Sequence, residues 1–216
     1  VAEYQAIERR IESNRRLIAT LEAAAQTIYR HMFVDNIDPE NLPHGWRMGR
    51  VTDLSELKVG GDKPKAFSGS LTTKCNVPIY SNGVIEEGLY GYTDKASISA
   101  PSFTISARGT IGKCFLRLRP YFSIVRLISV IPKSIDTLLY QFLFFSNLKI
   151  EGDGSVQNQL TAPFLESEKM IIPDMTCMMR FNSKAMPLYQ DIEKINNEIH
   201  LLNQILSLLL TKLSKY

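Results

Sequence analysis

Two segments at opposite ends of the chain carry a heptad pattern of apolar residues, and this pattern constrains the fold more than any other feature. The residues on the two seams are Tyr4, Ile7, Ile11, Asn14, Ile18, Leu21, Ala25, Ile28 and Met32, then Leu188, Ile192, Ile195, Ile199, Leu202, Leu206, Leu209 and Leu213. Their steps alternate between three and four, which averages the coiled-coil period of about 3.5. We therefore predict two long helices, over residues 1–34 and 187–216.

The two predicted helices are expected to pair with each other in antiparallel orientation. The first leads into the middle of the chain and the second leads out of it, so a direct pairing allows no other orientation. Asn14 falls on the seam, where a polar side chain costs stability but can fix the register. The predicted interface residues are Ile7, Ile11, Asn14, Ile18, Leu21, Ile28, Ile192, Ile195, Ile199, Leu202, Leu206 and Leu209. The alternative is a helical hairpin that only stabilises a small domain.

Composition and motifs exclude several classes of protein. With 216 residues, of which 44% are hydrophobic, the chain can bury a core. No apolar stretch reaches the ~18 to 20 residues of a membrane span, so we expect a soluble protein. Three scattered cysteines predict reduced thiols in a cytoplasm and no metal site. Nucleotide-binding, zinc-protease and serine-hydrolase motifs are absent from the sequence, so we expect neither a cofactor nor catalysis.

The positive charge is concentrated in one part of the middle segment. Between residues 95 and 133 there is no Asp or Glu, whereas there are seven basic residues: Lys95, Arg108, Lys113, Arg117, Arg119, Arg126 and Lys133. Such clustering favours a polyanionic partner, because neutralised phosphates release counterions. Lys63 and Lys65 add to the basic residues expected at this surface. The alternative is a solvated strand edge that Arg and Lys protect against aggregation.

The middle segment has the pattern of a strand-rich domain, which makes the chain α+β. Asn82-Gly83 predicts a tight hairpin turn, and Ser134 caps a predicted helix over residues 134–148. The predicted strands are residues 77–80, 84–85, 102–106, 113–118, 123–131 and 170–172. The predicted domain organisation is a first helix (1–34), a linker (35–46), a strand-rich domain (47–173), a connector (174–186) and a closing helix (187–216).

Two polar segments carry the side chains best suited to reading bases. Residues 155–161 (SVQNQLT) place Ser155, Gln157, Asn158 and Gln159 behind a glycine-rich loop, and residues 106–110 (SARGT) place Arg108 in a turn. Amides and guanidinium groups make paired hydrogen bonds to base edges, whereas hydroxyls and cations hold phosphates. Asn82, Tyr90 and Tyr92 lie at the predicted hairpin, where the aromatic rings either stack on bases or pack across strands. Each of these polar groups has a structural alternative as a backbone cap.

Six short motifs, taken in order between the two heptad helices, resemble a known family. They are residues 21–33 (LEAAAQTIYRHMF), 42–46 (LPHGW), 77–83 (VPIYSNG), 105–112 (ISARGTIG), 154–160 (GSVQNQL) and 171–173 (IIP). The sequence resembles the specificity subunit of type I restriction-modification systems over nearly its whole length. Subunits of this family carry two target recognition domains, each reading half of a split DNA site, joined by antiparallel helices that also bind methyltransferase subunits.

The resemblance implies the second half of such a subunit, non-catalytic, with one target recognition domain between two helices. The implied partners are double-stranded DNA, the methyltransferase (modification) subunits and, indirectly, the restriction subunit. The closing helix also carries apolar residues off its seam, namely Leu201, Ile205, Leu208 and Leu210, so it needs a second partner surface. That partner is either a preceding recognition domain in the same parent chain or a second copy of this chain in a homodimer. Two other hypotheses are the recognition end of a fused type II restriction-modification enzyme and a coiled-coil interaction module without a DNA role.

Overall fold

The structure is a computed structural model that describes residues 2–148 and 159–213. The predictions for Ser155, Gln157 and Asn158 therefore lie outside the described residues. The helices are α1 (Ala2–Phe33), α2 (Val51–Leu54), α3 (Leu138–Asn147), α4 (Ala162–Ser167) and α5 (Met175–Leu213). The strands are β1 (Arg47–Arg50), β2 (Ser55–Val59), β3 (Val77–Tyr80), β4 (Leu89–Thr93), β5 (Ser102–Ile105), β6 (Cys114–Arg117), β7 (Phe122–Ser123), β8 (Ile128–Pro132) and β9 (Lys169–Ile172).

The chain divides into two compact units, one of residues 1–36 with 180–216 and one of residues 37–179. The first unit is an antiparallel helix pair, as predicted. Arg10, early in α1, forms an ion pair of 2.7 Å with Glu198, late in α5. Phe33, at the end of α1, packs edge-on against Phe181 with 5.2 Å between ring centroids. All twelve predicted interface residues lie buried or half-buried, with Ile11, Asn14 and Ile192 buried.

The second long helix begins earlier than the heptad pattern predicts. The segment proposed as a connector, residues 174–186, is helical from Met175, and Pro187 lies inside α5. Asp174 caps the helix, because its carboxylate accepts a hydrogen bond of 3.0 Å from the backbone amide of Cys177. The apolar seam begins at Leu188, so the heptad pattern places the start of the helix at residue 187. In the structure, Phe181 and Tyr189 lie on either side of Pro187 in the helix, and both are buried.

The described part of the second unit contains three sheets. β2-β8-β5-β6 form an antiparallel sheet of four strands, β4-β3-β7 form a sheet of three, and β1 pairs with β9. The core lies where α3 meets the four-stranded sheet: Phe103 on β5 packs against Phe142 and Phe145 at ring distances of 5.9 and 5.8 Å. α3 is buried on nearly all sides because its sequence is almost uniformly apolar, as the pattern predicted.

Two local predictions in this unit are wrong. The hairpin partner of β3 is β4, reached through a 3-10 turn (Ile85–Gly88), so residues 84–85 are not a strand. The predicted strand 123–131 is two strands, because Val125 and Arg126 adopt left-handed φ values of 53° and 61°. A hydrogen bond of 3.1 Å from the Leu127 amide to the Ile124 carbonyl closes this turn. None of the described helices is long and apolar enough to cross a membrane.

Candidate nucleic-acid interface

Three separate segments meet at the backbone of Ala107, which is buried. The Ala107 amide donates to the side-chain oxygen of Asn82 at 2.7 Å, and the Ala107 carbonyl accepts from the amide of Leu160 at 2.8 Å. The side-chain nitrogen of Asn82 donates to the carbonyl of Val125 at 2.6 Å. Both ends of the Asn82 amide are thus bonded to backbone, which revises its predicted role from DNA binding to positioning. Asn82 holds the β3 loop, the β5–β6 turn and the β7–β8 turn together.

Arg108 and Gln159 lie next to this junction and contact each other. The exposed guanidinium of Arg108 donates to the amide oxygen of Gln159 from Nη2 at 2.7 Å and from Nε at 3.2 Å. Gly109 follows with φ of 68°, a conformation that lets the chain reverse directly after Arg108. An open groove runs past Arg108, lined by Ser81, Asn82, Gly83, Val84, Ile85, Gly88, Leu89, Gly109 and Thr110. A planar donor and an amide side chain therefore stand together at the edge of a groove.

Arg117 is buried, which overturns its prediction as a DNA contact. Only 3% of its side chain is exposed, and Nη1 forms an ion pair of 2.9 Å with the Glu87 carboxylate. Nη2 donates to the Glu87 carbonyl and Nε to the Thr104 hydroxyl. The guanidinium also lies 3.5 Å from the centre of the Tyr80 ring, a cation–π contact. The role of Arg117 is to hold the turn that contains Glu87 against the sheet.

The other six basic residues of the 95–133 stretch are exposed, and they do not form a single cluster. Arg108 and Lys113 lie in the loop that joins β5 to β6. Lys95 and Arg119 lie at the opposite end of these strands, on either side of the bridge between Ile98 and Tyr121. The fold thus places two pairs of exposed cations at the two ends of one hairpin.

A second cluster joins Lys63 to two exposed aromatic rings. The ammonium of Lys63 lies 3.2 Å from the centre of the Phe67 ring and 5.6 Å from that of Tyr90. Lys65 is exposed nearby in sequence, whereas Tyr92 is only half-exposed. Burial, followed by the charge of Glu86, raises the pKa of the Tyr92 hydroxyl. The structure therefore groups Lys63 with Tyr90.

Sequence reasoning missed two residues of this surface, Phe67 and Ile85. Phe67 lies in a polar loop with no periodic pattern, so no sequence signal separates it from a core aromatic residue. Ile85 suggested a buried strand position, yet 84% of its surface is exposed at the groove. Within the described ranges, 2–148 and 159–213, no group of three or more His, Cys, Asp or Glu side chains is arranged to hold a metal ion.

Comparison with known proteins identifies the family. Residues 43–177 match the family described as the type I restriction modification DNA specificity domain. The chain belongs to this family. The resemblance found in the sequence is therefore confirmed, and the match covers the unit that carries the groove.

Two proteins of Mycoplasma pneumoniae assigned as type I specificity subunits are similar to this chain. One is 30% identical over 145 residues, which are 67% of this chain and 40% of the relative. The other is 29% identical over 154 residues, which are 71% of this chain and 45% of the relative. The chain thus spans less than half the length of these two relatives.

Solved structures of type I specificity subunits share the fold. The S subunit from M. genitalium matches with a TM-score of 0.74 at 15% identity, covering 98% of this chain and 59% of that one. The HsdS subunit from Thermoanaerobacter tengcongensis matches with a TM-score of 0.53 at 16% identity, covering 98% of this chain and 56% of that one. At such low sequence identity, these matches show similarity of fold alone.

Proposed function

We propose that this chain is a non-catalytic, sequence-reading part of a type I restriction-modification complex, and that its 37–179 unit binds double-stranded DNA. The observation that carries the proposal is the Arg108–Gln159 pair at the edge of an open groove, next to the exposed Lys113. Arginine and glutamine both make paired hydrogen bonds to base edges in the major groove. Membership of the DNA specificity domain family supports the same function.

The proposed contacts divide by chemistry. Arg108 and Gln159 read bases, as do Gln157 and Asn158, for which the sequence is the only support. Lys95, Lys113 and Arg119 hold phosphates, together with Lys63, Lys65 and Ser155. Tyr90, beside Lys63, and the half-exposed Tyr92 act as stacking or packing groups. This division follows the general rule that phosphate contacts position a protein whereas base contacts specify the sequence.

The helical unit is proposed as the assembly part of the molecule. Leu201 and Leu208 are 58% and 66% exposed on α5, and Ile205 lies between them on the same helical face. An exposed apolar stripe on a helix that already buries its seam favours a further protein partner. We assign this stripe to the methyltransferase subunits, with the restriction subunit joined through them, and to a second recognition domain or a second copy of this chain.

Selection from a pool of randomised duplexes by the immobilised 216-residue chain tests the proposal. We expect a short enriched motif and an affinity that falls steeply with salt concentration. The same chain incubated with labelled methyl donor and DNA is expected to transfer no methyl group. Transfer by the chain alone would instead support a fused enzyme, and absence of any duplex binding would support an interaction module without a DNA role.

A further inference from the structure

The loop between β3 and β4 exposes aliphatic side chains at the groove. Ile85 is 84% exposed and Val84 is 49% exposed, and both line the groove. Val125, whose carbonyl is bonded to Asn82, is 48% exposed. Single exposed aliphatic residues are ordinary, but Val84 and Ile85 lie side by side in the groove lining, and Val125 adds an exposed aliphatic side chain at a residue bonded to Asn82. Ile85 in particular has most of its surface in solvent, which leaves it available for contact with a ligand.

This loop is held in an unusual conformation from inside the domain. Glu86 and Glu87 both have left-handed φ values, 47° and 54°. The buried Arg117 fixes the loop through both the carboxylate and the carbonyl of Glu87, and a hydrogen bond of 2.9 Å from the Ser81 amide to the Gly88 carbonyl closes its base. Such conformations persist only where the surroundings impose them, and they cluster at binding sites. Ile85 is therefore presented on a fixed support.

The charges of the loop favour contact with base edges over contact with phosphates. The Glu87 carboxylate forms an ion pair with Arg117, whereas Glu86 is exposed and has no ion pair among the described residues. A free carboxylate is repelled by phosphates but accepts a hydrogen bond from the amino group of cytosine in the major groove. In the same groove, the methyl group of thymine is the apolar feature that an aliphatic side chain contacts.

We propose that Ile85 and Glu86 are specificity residues that enter the major groove, Ile85 against the 5-methyl group of a thymine and Glu86 on the amino group of a neighbouring cytosine. Arg108 lines the same groove of the protein as Ile85. Its positive charge attracts DNA, which the acidic loop itself does not. The inference rests on the proposed function, because it names the base chemistry that the same surface reads.

Replacing single thymines by deoxyuridine in the selected duplex tests the role of Ile85, since deoxyuridine lacks only the methyl group. At one thymine we expect the affinity of the unaltered chain to fall about fourfold, the effect of one buried methyl-sized group. In Ile85→Ala the same replacement should have no effect. The control is Ile135→Ala, an exposed isoleucine outside the groove lining, which should retain the fourfold loss. Equal losses in Ile85→Ala and in the unaltered chain, or no sensitive thymine at all, would overturn the inference.

Glu86→Gln tests the second contact. Glutamine pairs with adenine, whereas glutamate accepts from cytosine, so the preferred base at one position should change from cytosine to adenine. An unchanged selected motif would overturn the role of Glu86. A chain that selects no motif at all contradicts the proposed function itself. A motif that is selected but is indifferent to Ile85 and Glu86 contradicts this inference alone.

Discussion

The guanidinium of Arg108 donates two hydrogen bonds to the side-chain oxygen of Gln159, at 2.7 and 3.2 Å. These residues are 51 positions apart in the chain, and the adjacent hydrogen bond between Leu160 and Ala107 holds their backbones together. An arginine that is oriented by an amide loses less conformational freedom when it binds a base. Gln159 therefore orients Arg108 in addition to any base contact of its own.

Arg108→Ala is expected to change which sequences the chain prefers. Loss of a paired base contact should reduce discrimination at one position by about 1 to 3 kcal/mol. Gln159→Ala should reduce discrimination at the same position, because it removes the group that orients Arg108. Selection from randomised duplexes measures both effects. Arg119→Ala is the control, since an arginine that holds a phosphate should leave the selected motif unchanged.

Lys113→Ala is expected to weaken binding to all duplexes alike. Removing one phosphate contact should lower the slope of log affinity against log salt concentration by about 0.9. Titrations at several salt concentrations, with a selected and a scrambled duplex, provide the measurement. Lys169→Ala serves as the matched control, because Lys169 is an exposed lysine on β9 outside the proposed contacts. A larger loss on the selected duplex than on the scrambled one would make Lys113 a base reader.

Arg117→Ala is expected to destabilise the 37–179 unit. The substitution removes a buried guanidinium and leaves Glu87, which is 44% exposed, without its ion pair. The loss of hydrogen bonds and packing should lower the free energy of unfolding by about 2 to 3 kcal/mol. Urea unfolding measures the effect, with the exposed Arg126→Ala expected to stay within about 0.5 kcal/mol. Equal stability of the two variants would contradict the claim that Arg117 holds the loop that contains Glu87.

The elements that the sequence predicts well are those whose pattern is local. The heptad seams predict both long helices because burial repeats with a period of about 3.5 over many turns. Strand β5 and helix α3 follow from short apolar runs between turn residues, so their positions are close to the predictions. The start of α5 was missed because Asp174 caps it, and a single aspartate thirteen residues before the predicted start at residue 187 carries little weight.

The parts that could not be predicted depend on contacts between distant residues. Asn82-Gly83 has the composition of a hairpin turn, but the partners of Asn82 lie 25 and 43 residues further along the chain. Arg117 contributes to a basic stretch like any other arginine, and only the fold shows that Glu87 and Tyr80 surround it. Charge along a sequence therefore identifies the basic residues, but it neither separates the exposed cations from the buried one nor shows which of them lie together.

Leu201→Lys combined with Leu208→Lys is expected to impair assembly without unfolding the helix pair. Both side chains are exposed on α5, so the substitutions remove an apolar contact surface and leave the seam intact. Co-purification with methyltransferase subunits and light scattering of the isolated chain measure the effect. Ser207→Lys, at an exposed polar position of the same helix, is the matched control. Unchanged assembly in the double variant would show that the stripe of Leu201, Ile205 and Leu208 is not part of the assembly interface.

The central claim is that the 37–179 unit distinguishes DNA sequences, and the affinity ratio between a selected duplex and its scrambled form tests this claim most directly. Each wrong base pair in a specific site costs about 1 to 3 kcal/mol, so scrambling three of them should weaken binding by about a hundredfold or more. We predict that this ratio persists as the salt concentration rises, while both affinities fall. Equal affinity for the two duplexes at every salt concentration would contradict the account.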